Sequence, residues 1–207
     1  VLLLIAAGMN IILEETSSSE VVGTPKRGFL DLEMRMNISK ASTASFKGEN
    51  VGDYSGWCVS DAGDVNGDGY DDILIGSKYN DDGGDKSGKT YLLFGKASGW
   101  SLDINLSTGA DASFIGENED DNSSFSLSGA GDVNGDGYDD ILIGAKNNDE
   151  GGEDTGQTYL FFGKSTGWSK DINLGSADAS FWGENVDDSS GYSVSGAGDV
   201  NGDGYDD

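Results

Sequence analysis

The chain has 207 residues, of which 38 are acidic and 12 basic, and its formal net charge is −26. Nucleic acid and anionic membrane surfaces are poor partners for such a protein, because both are recognised through clustered Lys and Arg. The chain has no histidine, which is the commonest general base, and its one cysteine, Cys58, leaves no intrachain disulfide to form.

The first 13 residues are almost entirely apolar, and a polar stretch follows at 14–20. This apolar run is short for a membrane span, which needs roughly 20 residues, but it fits the hydrophobic core of a secretory signal. A buried strand or an anchor helix is the alternative. We assign residues 1–30 to a hydrophobic signal-like or anchor-like segment with its linker, and residues 31–207 to a repetitive domain.

The repetitive domain is marked by the nine-residue run Asp-Val-Asn-Gly-Asp-Gly-Tyr-Asp-Asp. This run occurs unchanged at 64–72, 132–140 and 199–207, so that successive copies begin 68 and 67 residues apart. Other elements recur in the same register. Among them is an Ala-Ser-Phe element that leads into Gly-Glu-Asn, at 44–50, 112–118 and 179–185. The sequence therefore predicts tandem repeats with one acidic loop in each.

Each repeat contains four strand-like runs, which in the second copy lie at 124–128, 140–145, 158–162 and 171–174. The run at 140–145 is continuously apolar at its centre, which is typical of a strand covered on both faces. A small antiparallel sheet of this kind must stack on its neighbours to bury its faces. We predict an all-β fold of β-propeller blades, each a four-stranded antiparallel sheet, rather than an open β-solenoid. Because the third repeat stops after its loop, we expect an incomplete N-terminal fragment of the ring.

Each acidic loop alternates side-chain oxygens with glycines that permit tight turns. Positions 1, 3, 5 and 9 offer side-chain oxygens, and position 7 offers the backbone carbonyl of tyrosine. Ligands that are all oxygen favour Ca²⁺ or Mg²⁺ over zinc or copper, and a flexible loop suits Ca²⁺ better. The predicted calcium ligands are Asp64, Asn66, Asp68, Tyr70, Asp72, Asp132, Asn134, Asp136, Tyr138, Asp140, Asp199, Asn201, Asp203, Tyr205 and Asp207.

Two other kinds of loop share features with this metal loop. An EF-hand loop opens in the same way, but it has 12 residues and ends in a bidentate glutamate. Here position 12 is Ile75 in the first copy and Ile143 in the second, each within a β-like apolar run. The other alternative is an acidic, glycine-rich turn that binds nothing. Three identical copies argue against that interpretation.

The second repeat resembles the FG-GAP repeat. The resemblance lies in the run from Phe125 through Gly131 into the second loop, in the Ile-Leu-Ile-Gly-Ala that follows the loop, and in the later Phe-Gly pair. That repeat builds the seven-bladed N-terminal propeller of integrin α subunits and occurs in many microbial surface proteins. The resemblance extends from about residue 30 to residue 207 and implies calcium at the same fifteen positions. The sequence departs from the family motif where Lys78 and Lys146 replace its proline. It departs again in the long acidic loops 79–89 and 147–157.

The resemblance implies a calcium-binding extracellular propeller, secreted or on the cell surface, that acts as an adhesion or recognition module and not as an enzyme. Its expected partner is an extracellular protein or glycan, and further repeats of the same chain are expected to close the ring. The loops 79–89 and 147–157, with Trp100 and Trp168, are candidates for recognition, although packing at a blade edge also explains the tryptophans. The alternatives are a non-catalytic part of a larger secreted hydrolase and a structural surface-layer protein.

Overall fold

The computed structural model describes residues 42–207, all of which fall within one compact unit. The signal-like or anchor-like segment assigned to residues 1–30, and the boundary placed at residue 31, lie outside the described residues. Within residues 42–207, no helix has the length and apolar character that a membrane crossing requires.

The described chain is almost entirely β-structure. In chain order the strands are β1 (Phe46–Lys47), β2 (Ser55–Gly63), β3 (Asp72–Ser77), β4 (Lys89–Leu93), β5 (Ile104–Asn105), β6 (Ala112–Ile115), β7 (Ser123–Gly131), β8 (Asp140–Ala145), β9 (Gln157–Phe161), β10 (Ile172–Asn173) and β11 (Ala179–Trp182). A single helical turn, α1 (Leu106–Gly109), and a 3₁₀ turn, Leu174–Ser176, occupy equivalent places in the first and second repeats.

Eight of these strands build two antiparallel arrays of the same design, in the order β2-β3-β4-β6 and in the order β7-β8-β9-β11, so that each array follows the chain from one edge to the other. β10 extends the first array in parallel beside β6, and β1 and β5 form a separate parallel pair. One apolar core runs through both sheets and includes Leu74 and Leu92 of the first and Ile141 and Ile143 of the second. The predicted all-β fold with four-stranded antiparallel sheets is therefore confirmed. Each sheet is a blade that buries its faces against its neighbour.

The prediction for the fourth strand of the second repeat was wrong. The run 171–174 contributes only β10, which pairs in parallel with β6 of the preceding blade, Ile172 opposite Phe114. The fourth strand is β11, which pairs antiparallel with β9. The run is short because Asp171 adopts a left-handed conformation, φ 57°, and because the side chain of Asn173 accepts a hydrogen bond from Gly175 N and so caps the 3₁₀ turn.

An ion cluster around the buried side chain of Lys89 ties three consecutive repeats together. Lys89 of β4 contacts Glu49, which follows β1, at 3.3 Å, Asp171, which precedes β10, at 2.9 Å, and Asp82 of its own blade. Burial lowers the pKa of Lys89, but hydrogen bonds to Asp82 and Asp171 outweigh burial and raise the pKa above its usual value. We call these four residues the Lys89 cluster. The second blade has Gln157 at the equivalent position, and within residues 42–207 its buried Oε1 accepts no hydrogen bond.

Candidate metal centres

The three acidic loops lie at equivalent places in their repeats. Residues 64–72 connect β2 to β3, residues 132–140 connect β7 to β8, and residues 199–207 follow the strand-free part of the third repeat. In the two blades the loop thus joins the first two antiparallel strands at the same end of the sheet. The conformation within the loops also repeats, as their hydrogen bonds show.

The first aspartate is the centre around which each loop winds. In the first copy, Asp64 Oδ1 accepts hydrogen bonds from Gly67 N at 2.8 Å and from Asp68 N at 3.0 Å. Its Oδ2 accepts from Gly69 N at 2.8 Å. Asp132 and Asp199 accept the same three bonds in their own loops, at 2.6–3.2 Å. The two glycines have φ values of 75° and 88°, which bring their N–H groups inward and which residues with a Cβ resist.

The last aspartate closes the loop from inside the blade. Asp72 is fully buried, and its carboxylate accepts hydrogen bonds from Val65 N at 3.2 Å and from Gly95 N at 2.7 Å. Burial raises the pKa of Asp72 to about 6 against the effect of these bonds, and the negative charges of Asp68 and Asp64 raise it further. Asp140 has the same burial, the same kind of partners and a pKa raised to about 6. The carboxylates of one loop are therefore close enough to repel one another.

The middle positions are the most exposed part of the loop. Asp68 Oδ1 accepts a hydrogen bond from Tyr70 N at 3.0 Å, and the Asn66 amide donates to Asp72 at 3.3 Å. In the second loop the equivalent amide, of Asn134, donates instead to Asp136 at 3.0 Å. The amide at position 3 thus takes two orientations in loops of identical sequence.

The donor set fits a hard cation by its chemistry. Every candidate ligand is an oxygen, and none of the loop carboxylates forms an ion pair with a Lys or Arg in the described part of the chain. A buried carboxylate such as Asp72 ordinarily has a cationic partner. However, within residues 42–207 no three side chains of His, Cys, Asp or Glu form a preassembled metal cluster. The loops thus offer oxygen donors of the kind that a hard cation uses, and their side chains are held by the backbone of the loop.

The Phe-Gly pair after the third strand is part of the loop environment, which sequence reasoning did not recognise. Gly95 N donates to Asp72 and Gly163 N donates to Asp140, in each case across 23 residues. A Cβ at Gly95 would overlap the backbone of Asp71, so only glycine lets the chain pass this close. The constant spacing between the Phe-Gly pair and the loop was the available signal.

The two tryptophans proposed for recognition are packed against neighbouring repeats. Trp100 meets the ring of Phe46 edge-on at 6.0 Å, and Trp168 meets Phe114 in the same way at 6.2 Å. Each indole N–H donates to a backbone carbonyl four residues earlier. Trp168 also lies against the central core. The structure therefore favours packing at the blade edge for both.

The long acidic loops join one repeat to the next. In loop 79–89, the carbonyl of Asp85 accepts a hydrogen bond from Asp120 N at 2.7 Å, and that of Ser87 accepts from Ser123 N at 2.9 Å. Loop 147–157 makes the equivalent bonds to residues 187–190. The backbone of each loop is thus bound to the segment that enters the next repeat, while the acidic side chains at its tip remain exposed.

The lysines that replace the family's proline lie on a row of aromatic rings. Trp57, Phe125 and Tyr192 occupy equivalent positions in the three repeats, with centroids 5.7 and 4.9 Å apart. Lys78 Nζ lies 3.2 Å from the centroid of Trp57, and Lys146 Nζ lies 5.0 Å from that of Phe125. Such cation–π contacts contribute about 0.5–2 kcal/mol each. The row lies at the opposite end of the first strands from the acidic loops.

Four-stranded sheets that repeat every 67–68 residues, each with an acidic loop between its first two strands, define a propeller-type repeat protein. Comparison with known families agrees: the FG-GAP repeat matches residues 60–93 and 125–161. The chain is therefore an FG-GAP repeat protein, and its two sheets are β-propeller blades.

Individual relatives are integrin alpha chains. Integrin alpha-PS2 of Drosophila melanogaster is 31% identical over 159 residues, which cover 74% of this chain and 11% of the relative. Integrin alpha pat-2 of Caenorhabditis briggsae is 32% identical over 197 residues, 90% of this chain and 16% of the relative. Integrin alpha-5 of Xenopus laevis is 30% identical over 205 residues, 94% of this chain and 18% of the relative. The chain resembles integrin alpha chains and spans less than a fifth of their length.

Proposed function

We propose that residues 31–207 belong to a calcium-binding extracellular β-propeller that acts as a non-enzymatic adhesion or recognition module. The observation that carries the proposal is the threefold recurrence of one loop conformation in a chain that resembles integrin alpha chains. In the two blades, moreover, the loop holds a buried aspartate that no described Lys or Arg neutralises.

Calcium has a structural role in this proposal. The ligands in each loop are the side chains at positions 1, 3, 5 and 9 and the carbonyl at position 7, as in Asp132, Asn134, Asp136, Tyr138 and Asp140. A bound cation offsets the repulsion among the carboxylates and so stabilises the turn between the first two strands of a blade. Extracellular calcium modules bind with a dissociation constant of roughly 10⁻⁴ M, which suits the calcium concentration outside cells.

Secretion or surface display follows from this affinity and from the apolar N-terminal segment, to which we assign export or anchoring. The recognition surface in this proposal lies away from the calcium loops. It comprises the acidic tips of loops 79–89 and 147–157 and the aromatic row with its two lysines. The partner class is an extracellular protein or glycan, and further repeats of the same chain complete the ring.

The test uses the full chain and a triple variant in which the exposed fifth residue of every loop is replaced, Asp68→Ala, Asp136→Ala and Asp203→Ala. Calcium binding is measured by calorimetry, and thermal unfolding is followed in 1 mM calcium and in chelator. We expect binding and a calcium-dependent melting temperature for the native chain, and neither for the variant. A native chain that binds no calcium, and whose melting temperature ignores the chelator, would refute the proposal.

The adhesion role needs a second measurement. The native chain and the triple variant are immobilised and presented with a panel of extracellular matrix proteins and glycans, in calcium and in chelator. A partner that binds the native chain only in calcium supports the recognition module. Calcium stabilisation without any partner would instead favour the structural surface-layer protein.

A further inference from the structure

The eighth residue of the second and of the third acidic loop has a role outside its own loop. Asp139 is the eighth residue of the second loop, and its Oδ2 accepts a hydrogen bond from Asp64 N of the first loop at 2.7 Å. Asp139 N donates in return to the Asp64 carbonyl at 3.3 Å. Asp206 holds Asp132 in the same way, at 3.0 and 3.2 Å. The second and third loops thus each hold the backbone of the first candidate ligand of the loop before them.

The glycine that precedes each loop shows how close this contact is. A Cβ on Gly63 would overlap the carboxylate of Asp139, and a Cβ on Gly131 would overlap that of Asp206. Gly198, which precedes the third loop, has no following loop against it in the described chain. A Cβ there would meet only Asp206 of its own loop, at 4.0 Å. Glycine is therefore required by the approach of the next loop where that loop is present.

A second contact lies beside the first. The ring of Tyr138 lies directly over Gly67 of the first loop, and the ring of Tyr205 lies over Gly135 of the second, with no room for a Cβ in either place. The eighth residue stands between candidate ligands 7 and 9 of its own loop. A cation that orders residues 138–140 therefore also orders the side chain that holds Asp64.

We propose that Asp139 and Asp206 are positioning residues for the calcium site of the preceding loop, and that they couple the sites in series along the chain. The inference rests on the proposed calcium function. It goes beyond that function, because the two residues are not themselves ligands and act on a loop some 75 residues away in the sequence. Loss of Asp139 weakens binding in loop 64–72 and leaves binding in loop 132–140 unchanged.

Terbium luminescence can report one loop at a time once a candidate ligand has been removed from each of the other two loops. In the full chain, Asp136→Ala with Asp203→Ala leaves loop 64–72 as the reporter, and Asp68→Ala with Asp203→Ala leaves loop 132–140. The fifth position is exposed, so its replacement leaves the hydrogen bonds to the first aspartate of the loop in place. Asp139→Ala is introduced into both reporters, and each is titrated with Tb³⁺ and then competed with Ca²⁺.

We expect Asp139→Ala to raise the binding midpoint of the first reporter about tenfold and to shift the second by less than about twofold. A tenfold change corresponds to about 1.4 kcal/mol. Asp139→Asn restores most of the affinity, because its amide oxygen can still accept the hydrogen bond from Asp64 N. Asp71→Ala is the matched control. It removes the same charge from the first loop, where the Asp71 carboxylate accepts no hydrogen bond from the described residues, so the shift is expected to stay below about twofold.

Three outcomes would overturn the coupling alone: an unchanged midpoint in the first reporter, equal shifts in both reporters, or an Asp139→Asn variant as weak as Asp139→Ala. A native chain that binds neither Tb³⁺ nor Ca²⁺ would overturn the proposed calcium function and the coupling together.

Discussion

The first and second aspartates of a loop, at positions 1 and 5, differ in what they do without calcium, and this difference gives the sharpest test of the site. In the second loop, Asp132 accepts three backbone hydrogen bonds and Asp136 accepts one, from Tyr138 N, together with one from the Asn134 side chain. Asp132→Ala therefore removes both a candidate ligand and the centre of the turn. Asp136→Ala removes a candidate ligand from an exposed position and leaves the turn in place.

The magnitudes follow from these contacts. Hydrogen bonds to a charged group contribute about 1.5–3 kcal/mol each when buried, so three half-exposed bonds whose donors water can reach contribute about 2 kcal/mol together. The exposed bonds of Asp136 contribute about 0.5 kcal/mol on the same scale. A site with a dissociation constant of roughly 10⁻⁴ M adds about 1.4 kcal/mol at about 1 mM calcium. Asp132→Ala should thus lower the free energy of unfolding by about 2 kcal/mol in chelator and by about 3.4 kcal/mol in calcium. For Asp136→Ala the expected losses are about 0.5 kcal/mol in chelator and about 1.9 kcal/mol in calcium.

Thermal unfolding of the full chain, followed by circular dichroism in chelator and in about 1 mM calcium, measures these differences. For a chain of this size, 1 kcal/mol lowers the melting temperature by about 2–4 °C. We expect Asp132→Ala to melt about 6 °C below the native chain in chelator, and Asp136→Ala about 1–2 °C below it. Equal losses for the two variants in chelator would refute the central role of the first aspartate. Losses no greater in calcium than in chelator would refute calcium binding by this loop.

Three further predictions concern residues outside the ligand set. Lys89→Gln should lower the free energy of unfolding by about 2 kcal/mol, because it leaves the partly buried carboxylates of the Lys89 cluster without a cation. Lys86→Gln, at an exposed ion pair, should lower it by less than about 0.5 kcal/mol. Similar losses for the two variants would argue against the cluster as a link between repeats. Burial raises the pKa of Asp121 to about 6, so the stability that comes from its protonated form is present below about pH 4 and is lost as the pH rises through about 6. The unfolding free energy of Asp121→Asn, relative to the native chain, should therefore rise by up to about 3 kcal/mol between about pH 4 and 7, and a flat difference would contradict this. Gly63→Ala should destabilise the chain in chelator by at least about 1 kcal/mol more than Gly99→Ala, because both glycines have positive φ but only Gly63 faces another loop. Equal losses would contradict the close contact between Gly63 and the next loop.

The repeat and its loop could be predicted from the sequence because both are local. An unchanged nine-residue run at a spacing of 67–68 residues requires the same local structure in each copy, and the alternation of oxygens with glycines describes the loop conformation itself. The apolar run at 140–145 coincides with β8, because a continuous apolar strand has nowhere to lie except inside a sheet. The calcium ligands remain a prediction, supported by the donor set and by the relatives.

Contacts between repeats were decided only by the tertiary structure. Asp139 and Asp140 are adjacent and chemically identical, yet Asp140 is buried in its own loop and Asp139 holds the loop before it. They differ because successive residues of an extended chain point to opposite sides. The same limit explains the fourth strand, since both β10 and β11 have strand-like sequences and only the position of the preceding blade selects their partners. Lys89 reaches Glu49 and Asp171 across 40 and 82 residues for the same reason. Local sequence specifies a turn or a strand, whereas burial and pairing depend on which repeat stands beside it.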